Sequence, residues 1–154
     1  MLAWPRPSEF ELPLFLHVLG AILTFGAVAT AAFLVFASLR RTTPASTLLR
    51  RLAFRTMLFA VWPSFILMRV AAEWIRSKEY PSGASEPDWI VVGYIISDAG
   101  VLILLGLTIC SWLAARQTSA ERPRPATATI AAGLAGLYLI ALAVAWFAMS
   151  AKPG

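Results

Sequence analysis

The sequence predicts an all-α, polytopic membrane protein: a four-transmembrane-helix bundle with both termini outside. Three observations lead there. Of 154 residues, 59% are hydrophobic and 14% charged, where soluble domains carry about 25% charged residues. The apolar residues fall into four blocks, each long enough to supply the roughly 20 helical residues that a bilayer core about 30 Å thick requires. The arginines gather between the blocks instead of punctuating them, as an orienting signal does. At this length the chain makes one domain, residues 1–154.

The first block runs from about Leu12 to Leu39, "LPLFLHVLGAILTFGAVATAAFLVFASL". "AVA" at Ala27–Ala29 resembles a signal-peptide cleavage site, but Glu9 and Glu11 precede the run against a lone Arg6. The run also far exceeds a signal core of about 7–15 residues, so it reads as a retained helix. "SEFE" at Ser8–Glu11 fits a capping box, and Pro13 suits the first turn. The second block covers about Leu52 to Ile75. Its Pro63 removes a backbone hydrogen bond in mid-helix, which predicts a kink and a freed carbonyl. The third spans about Trp89 to Ala115. Ahead of the fourth, the prolines of "TSAERPRPAT", Thr118–Thr127, predict an extended linker. The fourth block, about Ala126 to Met149, holds no Asp, Glu, Lys, Arg or His, and its "AAGLAGL" run at Ala131–Leu137 suits close helix packing.

Arg40, Arg41, Arg50 and Arg51 lie between the first two blocks with Arg55 in the first turn of the second, and Arg116, Arg122 and Arg124 lie between the last two. The opposite side holds Arg6, Arg76, Lys78 and Lys152. By the positive-inside rule the Arg-rich loops face the cytoplasm of a multi-pass protein of the cell inner (plasma) membrane. Trp4, Trp74, Tyr80 and Trp89 then mark the outer interface. The net charge of +5 is read as this orienting signal, with the bilayer as partner and no nucleic acid. The single cysteine, Cys110, sits in an apolar block. It allows no intrachain disulfide and no cysteine-based metal motif, and packs as a small apolar residue.

The ionisable residues inside the blocks share one half of the membrane. At about 1.5 Å of rise per residue, His17 lies roughly 8 Å, Arg69 roughly 10 Å and Asp98 roughly 13 Å below the outer face. Glu73 sits one turn above Arg69. A lone charge in mid-bilayer costs at least about 2.5 kcal/mol, which an Arg69–Asp98 pair at matching depth would relieve. Arg69 and Glu73 share a helix face at i,i+4, which Phe65 and Trp62 extend inward. Tyr94 lies one turn above Asp98, beside a small-residue stripe of Gly93, Ser97 and Gly100. These positions predict an outward-opening pocket enclosed by His17, Arg69, Glu73, Tyr94 and Asp98 above a sealed apolar half. In it Arg69 would hold an anionic group of a small ligand or lipid headgroup. Plainer readings stay open: a structural Arg69–Asp98 pair fixing helix register, snorkelling of Arg69 or Glu73, and His17 as a hydrogen-bonded packing residue.

"LFLHVLGAILTFGA", Leu14–Ala27, with its Leu-His-x-x-Gly element, and "DWIVVGYIISDAGVLILL", Asp88–Leu105, resemble a family of small predicted bacterial four-helix integral membrane proteins of unknown function. More distantly, the first helix is similar to copper-resistance D-type membrane domains and to haem-associated four-helix membrane proteins. That resemblance implies metal, such as copper, or haem b bound through His17; on the residues, a second axial ligand would have to come from Met68 or from the His17 of a second copy. The residues themselves predict no cofactor, because copper wants a cluster of Met, His or Cys ligands. No nucleophile–base pair, phosphate loop or metal-ligand spacing points to an enzyme. A proton or ion pathway, homo-oligomerisation, or a place as accessory subunit of a larger membrane complex is also compatible with the sequence.

Overall fold

The computed structural model describes residues 11–40, 44–79, 88–117 and 125–151. The expected capping residues Ser8–Phe10, interface residues Trp4 and Tyr80, the Trp89 side chain and most of the 118–127 linker lie outside the described residues. Among the described residues all elements are helices: α1 (Glu11–Arg40), α2 (Pro44–Thr56), α3 (Trp62–Glu79), α4 (Asp88–Arg116) and α5 (Ala126–Ala151). A single wide turn, Met57–Val61, joins α2 to α3, so Pro44–Glu79 is one rod. Four rods are long and apolar enough to cross a membrane.

The second rod departs from the sequence reading in two ways. First, its helix starts at Pro44, eight residues before the expected boundary, so Arg50 and Arg51 are helical and not in a loop. Proline suits the first helical turn, where its missing N–H costs nothing. Hydropathy hid this segment because polar residues interrupt its apolar ones on both sides: Ser46 and Arg50 are buried with Ala53, while Arg51 and Arg55 are exposed. Second, the irregularity expected at Pro63 appears in the preceding turn. Pro63 has no N–H to offer the carbonyl of Phe59, and the backbone widens so that the Trp62 N–H reaches the Met57 carbonyl, i to i−5. That turn lies some ten residues, about 15 Å, from Arg69, and adds no polar group to the cluster there.

Helices surrounded by lipid gain little from pressing apolar side chains together, so small residues and interhelical hydrogen bonds decide how they pack. The buried face of α1 is Gly20, Thr24, Val28, Ala31, Val35 and Ser38, spaced three or four apart. At its crossing with α3 a Cβ on Gly20 would fall 2.6 Å from the Met68 backbone nitrogen. Thr24 Oγ1 lies 3.2 Å from Ser64 Oγ one turn further along. On α5, Ala128, Ala131, Ala135 and Tyr138 turn inward. Gly133 and Gly136 of the same small-residue run have nothing near them, so it is the alanines that make the contact.

Around the bundle, α1 packs on α3 and α5, α5 packs on α4, and α2 wedges between α1 and α4. The backbones of α3 and α4 hardly approach one another. The bundle is therefore closed at the α2 end and carries a seam between α3 and α4 at the other. The latter, where Glu11, Glu79, Asp88 and Ala151 lie, is called the terminal end below.

Candidate functional site

Two polar ties cross the seam. Deeper in, Trp62 Nε1 donates to Thr108 Oγ1 at 3.0 Å. Nearer the terminal end, Arg69 reaches over from α3. Its Nη2 lies 2.9 Å from Asp98 Oδ1 on α4 and 3.3 Å from Glu73 Oε1 on its own helix. Its guanidinium carbon stands 4.4 Å from the centre of the Tyr94 ring, over which Arg76 also lies at 5.0 Å. Arg76 is 3.7 Å from the second oxygen of Glu73. Four of the five residues expected at a site thus form one clasp. Because α3 continues to Glu79, Arg69 lies ten residues from its end, just as Asp98 lies ten residues from the start of α4. The two meet at equal height.

His17 stands apart from that clasp, at the α1–α3 crossing. Its Nδ1 donates to the Met68 carbonyl at 3.1 Å. A carbonyl can only accept, so Nδ1 carries the proton of this contact. The Leu-His-x-x-Gly element now has a physical meaning: Gly20 lets α3 come into backbone contact, and His17, one turn away, ties the same Met68.

Beside both lies a cavity of about 620 Å³ bounded by α1, α3, α4 and α5. Ile22, Phe25, Ile75, Leu142, Ala145 and Trp146 supply apolar walls. His17, Arg69 and Tyr94 line it, together with two residues that the sequence reading did not single out as site residues in this role, Ser97 and Tyr138. Glu73 and Asp98 are not among its lining residues; they sit on the outer side of the clasp, Asp98 with 64% of its side chain exposed. The expected enclosure of all five side chains is accordingly divided, three along the cavity and two outside it. Tyr138 carried a readable signal. Tyrosine in membrane helices favours the interfaces, and this one lies in mid-span.

The resemblance-based expectation of haem or copper at His17 can be set against the donors present. His17 lines the cavity, Met68 meets it through its backbone carbonyl, and among the described residues no group of three His, Cys, Asp or Glu side chains could hold a metal ion. Among the described residues these side chains make no three-ligand cluster of the kind that copper wants. No protein-family model, curated protein or solved structure matches the chain.

The clasp makes a direct prediction. Arg69→Met and Asp98→Asn should each lower the thermal midpoint of the detergent-solubilised protein. A double-mutant cycle should give a coupling of about 1 kcal/mol, as partly exposed pairs do. Additive losses would show that the two side chains do not act as a pair.

Proposed function

We propose that this chain is a non-catalytic, multi-pass protein of a bacterial inner membrane, of the same kind as the small four-helix proteins that its first and third helices resemble. In this reading it holds a small lipid-borne molecule in the cavity among α1, α3, α4 and α5. The single observation that carries the proposal is the cavity itself: about 620 Å³ in a bundle of four rods, where packing by small residues would otherwise close the space. Apolar walls suit a ligand that arrives from the bilayer. The uneven distribution of arginine supports the orientation, with the terminal end outside and α2 at the cytoplasmic face. Arg51 and Arg55 on the exposed side of α2 then face anionic headgroups.

Arg69 takes a different part from the one its charge first suggests. Two carboxylates already meet its guanidinium, so an anionic ligand would have to compete with both. Arg69 serves as the tie across the seam, and the seam is the route by which a molecule in the outer leaflet reaches the cavity.

Filling the cavity tests this. Ala72→Trp, whose wild-type side chain lines the wall, should reduce the amount of co-purifying lipid-soluble molecule, counted by native mass spectrometry from nanodiscs, about tenfold. That loss corresponds to about 1.4 kcal/mol. The melting temperature should stay near wild type. An unchanged complement, or a wild-type protein that carries nothing, overturns the reading.

A further inference from the structure

The polar groups of the cavity descend in a row. Counting from the helix starts at Glu11 and Asp88 and from the helix end at Ala151, His17 lies about 9 Å, Ser97 about 14 Å and Tyr138 about 20 Å from the terminal end. The row ends near the middle of a bilayer. There Tyr138 is fully buried and its hydroxyl has no hydrogen-bond partner. The Oγ of Ser97, one turn from Gly100, has none either. The ring of Tyr138 is seated against α4 at Gly100, where a Cβ would fall 2.7 Å from its Cε2 and 3.1 Å from its hydroxyl oxygen. A glycine notch thus positions a hydroxyl that has no hydrogen-bond partner among the described residues. Buried hydroxyls without partners are uncommon and costly, and three of them, those of Tyr94, Ser97 and Tyr138, line one cavity.

We infer that the inner end of the cavity is a hydrogen-bonding subsite, formed by Tyr138 and Ser97, for the carbonyl or hydroxyl oxygen of an uncharged lipid-soluble molecule such as an isoprenoid alcohol or quinone. This rests on the cavity reading above and names its ligand class. Both side chains can donate, so an oxygen acceptor satisfies them. His17 lines the cavity nearer its mouth. One charged side chain lines the cavity near the depth of the subsite, Arg69, about 15 Å from the terminal end, and its guanidinium is already met by Asp98 and Glu73. A phosphate or carboxylate head carried to that depth would lose its hydration and have to compete with both carboxylates for that one cation. The subsite therefore selects a neutral head that enters first, opposite to the way a phospholipid sits in its leaflet.

The test compares wild type with Tyr138→Phe, full-length in nanodiscs, by native mass-spectrometric titration. The probes are farnesol, a decyl-substituted benzoquinone, the hydrocarbon farnesene and the anion palmitate. Tyr138→Phe keeps the ring and removes only an unpartnered hydroxyl, so it should fold and melt no lower than wild type. Expected is a fivefold to tenfold weaker dissociation constant for farnesol or the benzoquinone, with farnesene unchanged; whichever of the two shows the larger loss identifies the preferred head. Ser97→Ala should weaken the same probe about threefold. Equal farnesol and benzoquinone binding by wild type and Tyr138→Phe overturns the subsite, as does palmitate binding tighter than both. Farnesene that binds wild type but not Ala72→Trp shows that the cavity reading survives such a result. If no probe binds wild type, both fall.

Discussion

Gly20→Leu is expected to pry α1 from α3 and to cost about 3 kcal/mol of stability, at the upper end of the range for overpacking. The measurement is thermal or denaturant unfolding in detergent. At 2.6 Å from the Met68 nitrogen and 2.8 Å from its Cα, a side chain at residue 20 meets backbone, which cannot rotate aside. The crossing must open, and three ties open with it: His17 to the Met68 carbonyl, Thr24 to Ser64, and the cavity wall that α1 supplies. Even Gly20→Ala should destabilise. Gly133→Ala, on an open face of α5, is the control: the greater helix propensity of alanine should leave stability equal or slightly higher. If Gly20→Leu melts with wild type, the α1–α3 crossing is not as close as described.

Arg50→Ala is expected to cost about 3 kcal/mol, from the cavity left by a large buried side chain and from a carbonyl left unmet. Arg50 is 1% exposed, the bulkiest wholly buried side chain of the bundle's described residues. Its Nη1 donates to the carbonyl of Gln117 at 3.3 Å, just past the last turn of α4. Helix ends leave carbonyls without intrahelical partners and carry partial negative charge, which a cation there offsets. Arg50→Lys should recover only part of the loss, since an ammonium lacks the planar fork that reaches past the helix end. Arg51→Ala and Arg55→Ala, both on the exposed side of α2, should change stability by no more than about 0.5 kcal/mol. Equal effects at residues 50, 51 and 55 would mean that charge alone, and not burial, explains all three.

The four rods were readable because long apolar blocks have few alternatives. α1 begins one residue before Leu12 and ends one after Leu39, and α4 similarly brackets Trp89–Ala115. The Arg69–Glu73–Asp98 association was readable from depth and i,i+4 spacing, since charges in apolar surroundings have few partners. What escaped the sequence has physical reasons. α2 is amphipathic, so block hydropathy reads it as loop. Arg50 looks identical to Arg51 in sequence, and only the packing of α2 between α1 and α4 separates a buried cap from a solvated charge. The separation of His17 from the clasp depends on which helices adjoin, and depth alone cannot supply that order around the bundle.

The wide turn at Met57–Val61 has a consequence for the azimuth of everything after it. Arg50 and Arg69 are nineteen residues apart, which in an unbroken α-helix of 3.6 residues per turn would leave them about 100° out of phase. One extra residue taken up by the turn removes about that angle. Both arginines then point toward the same neighbour, α4, one meeting the carbonyl of Gln117 and the other the carboxylate of Asp98. A proline next to the turn thus acts as a rotational shim that lets one rod address a single partner at both of its ends.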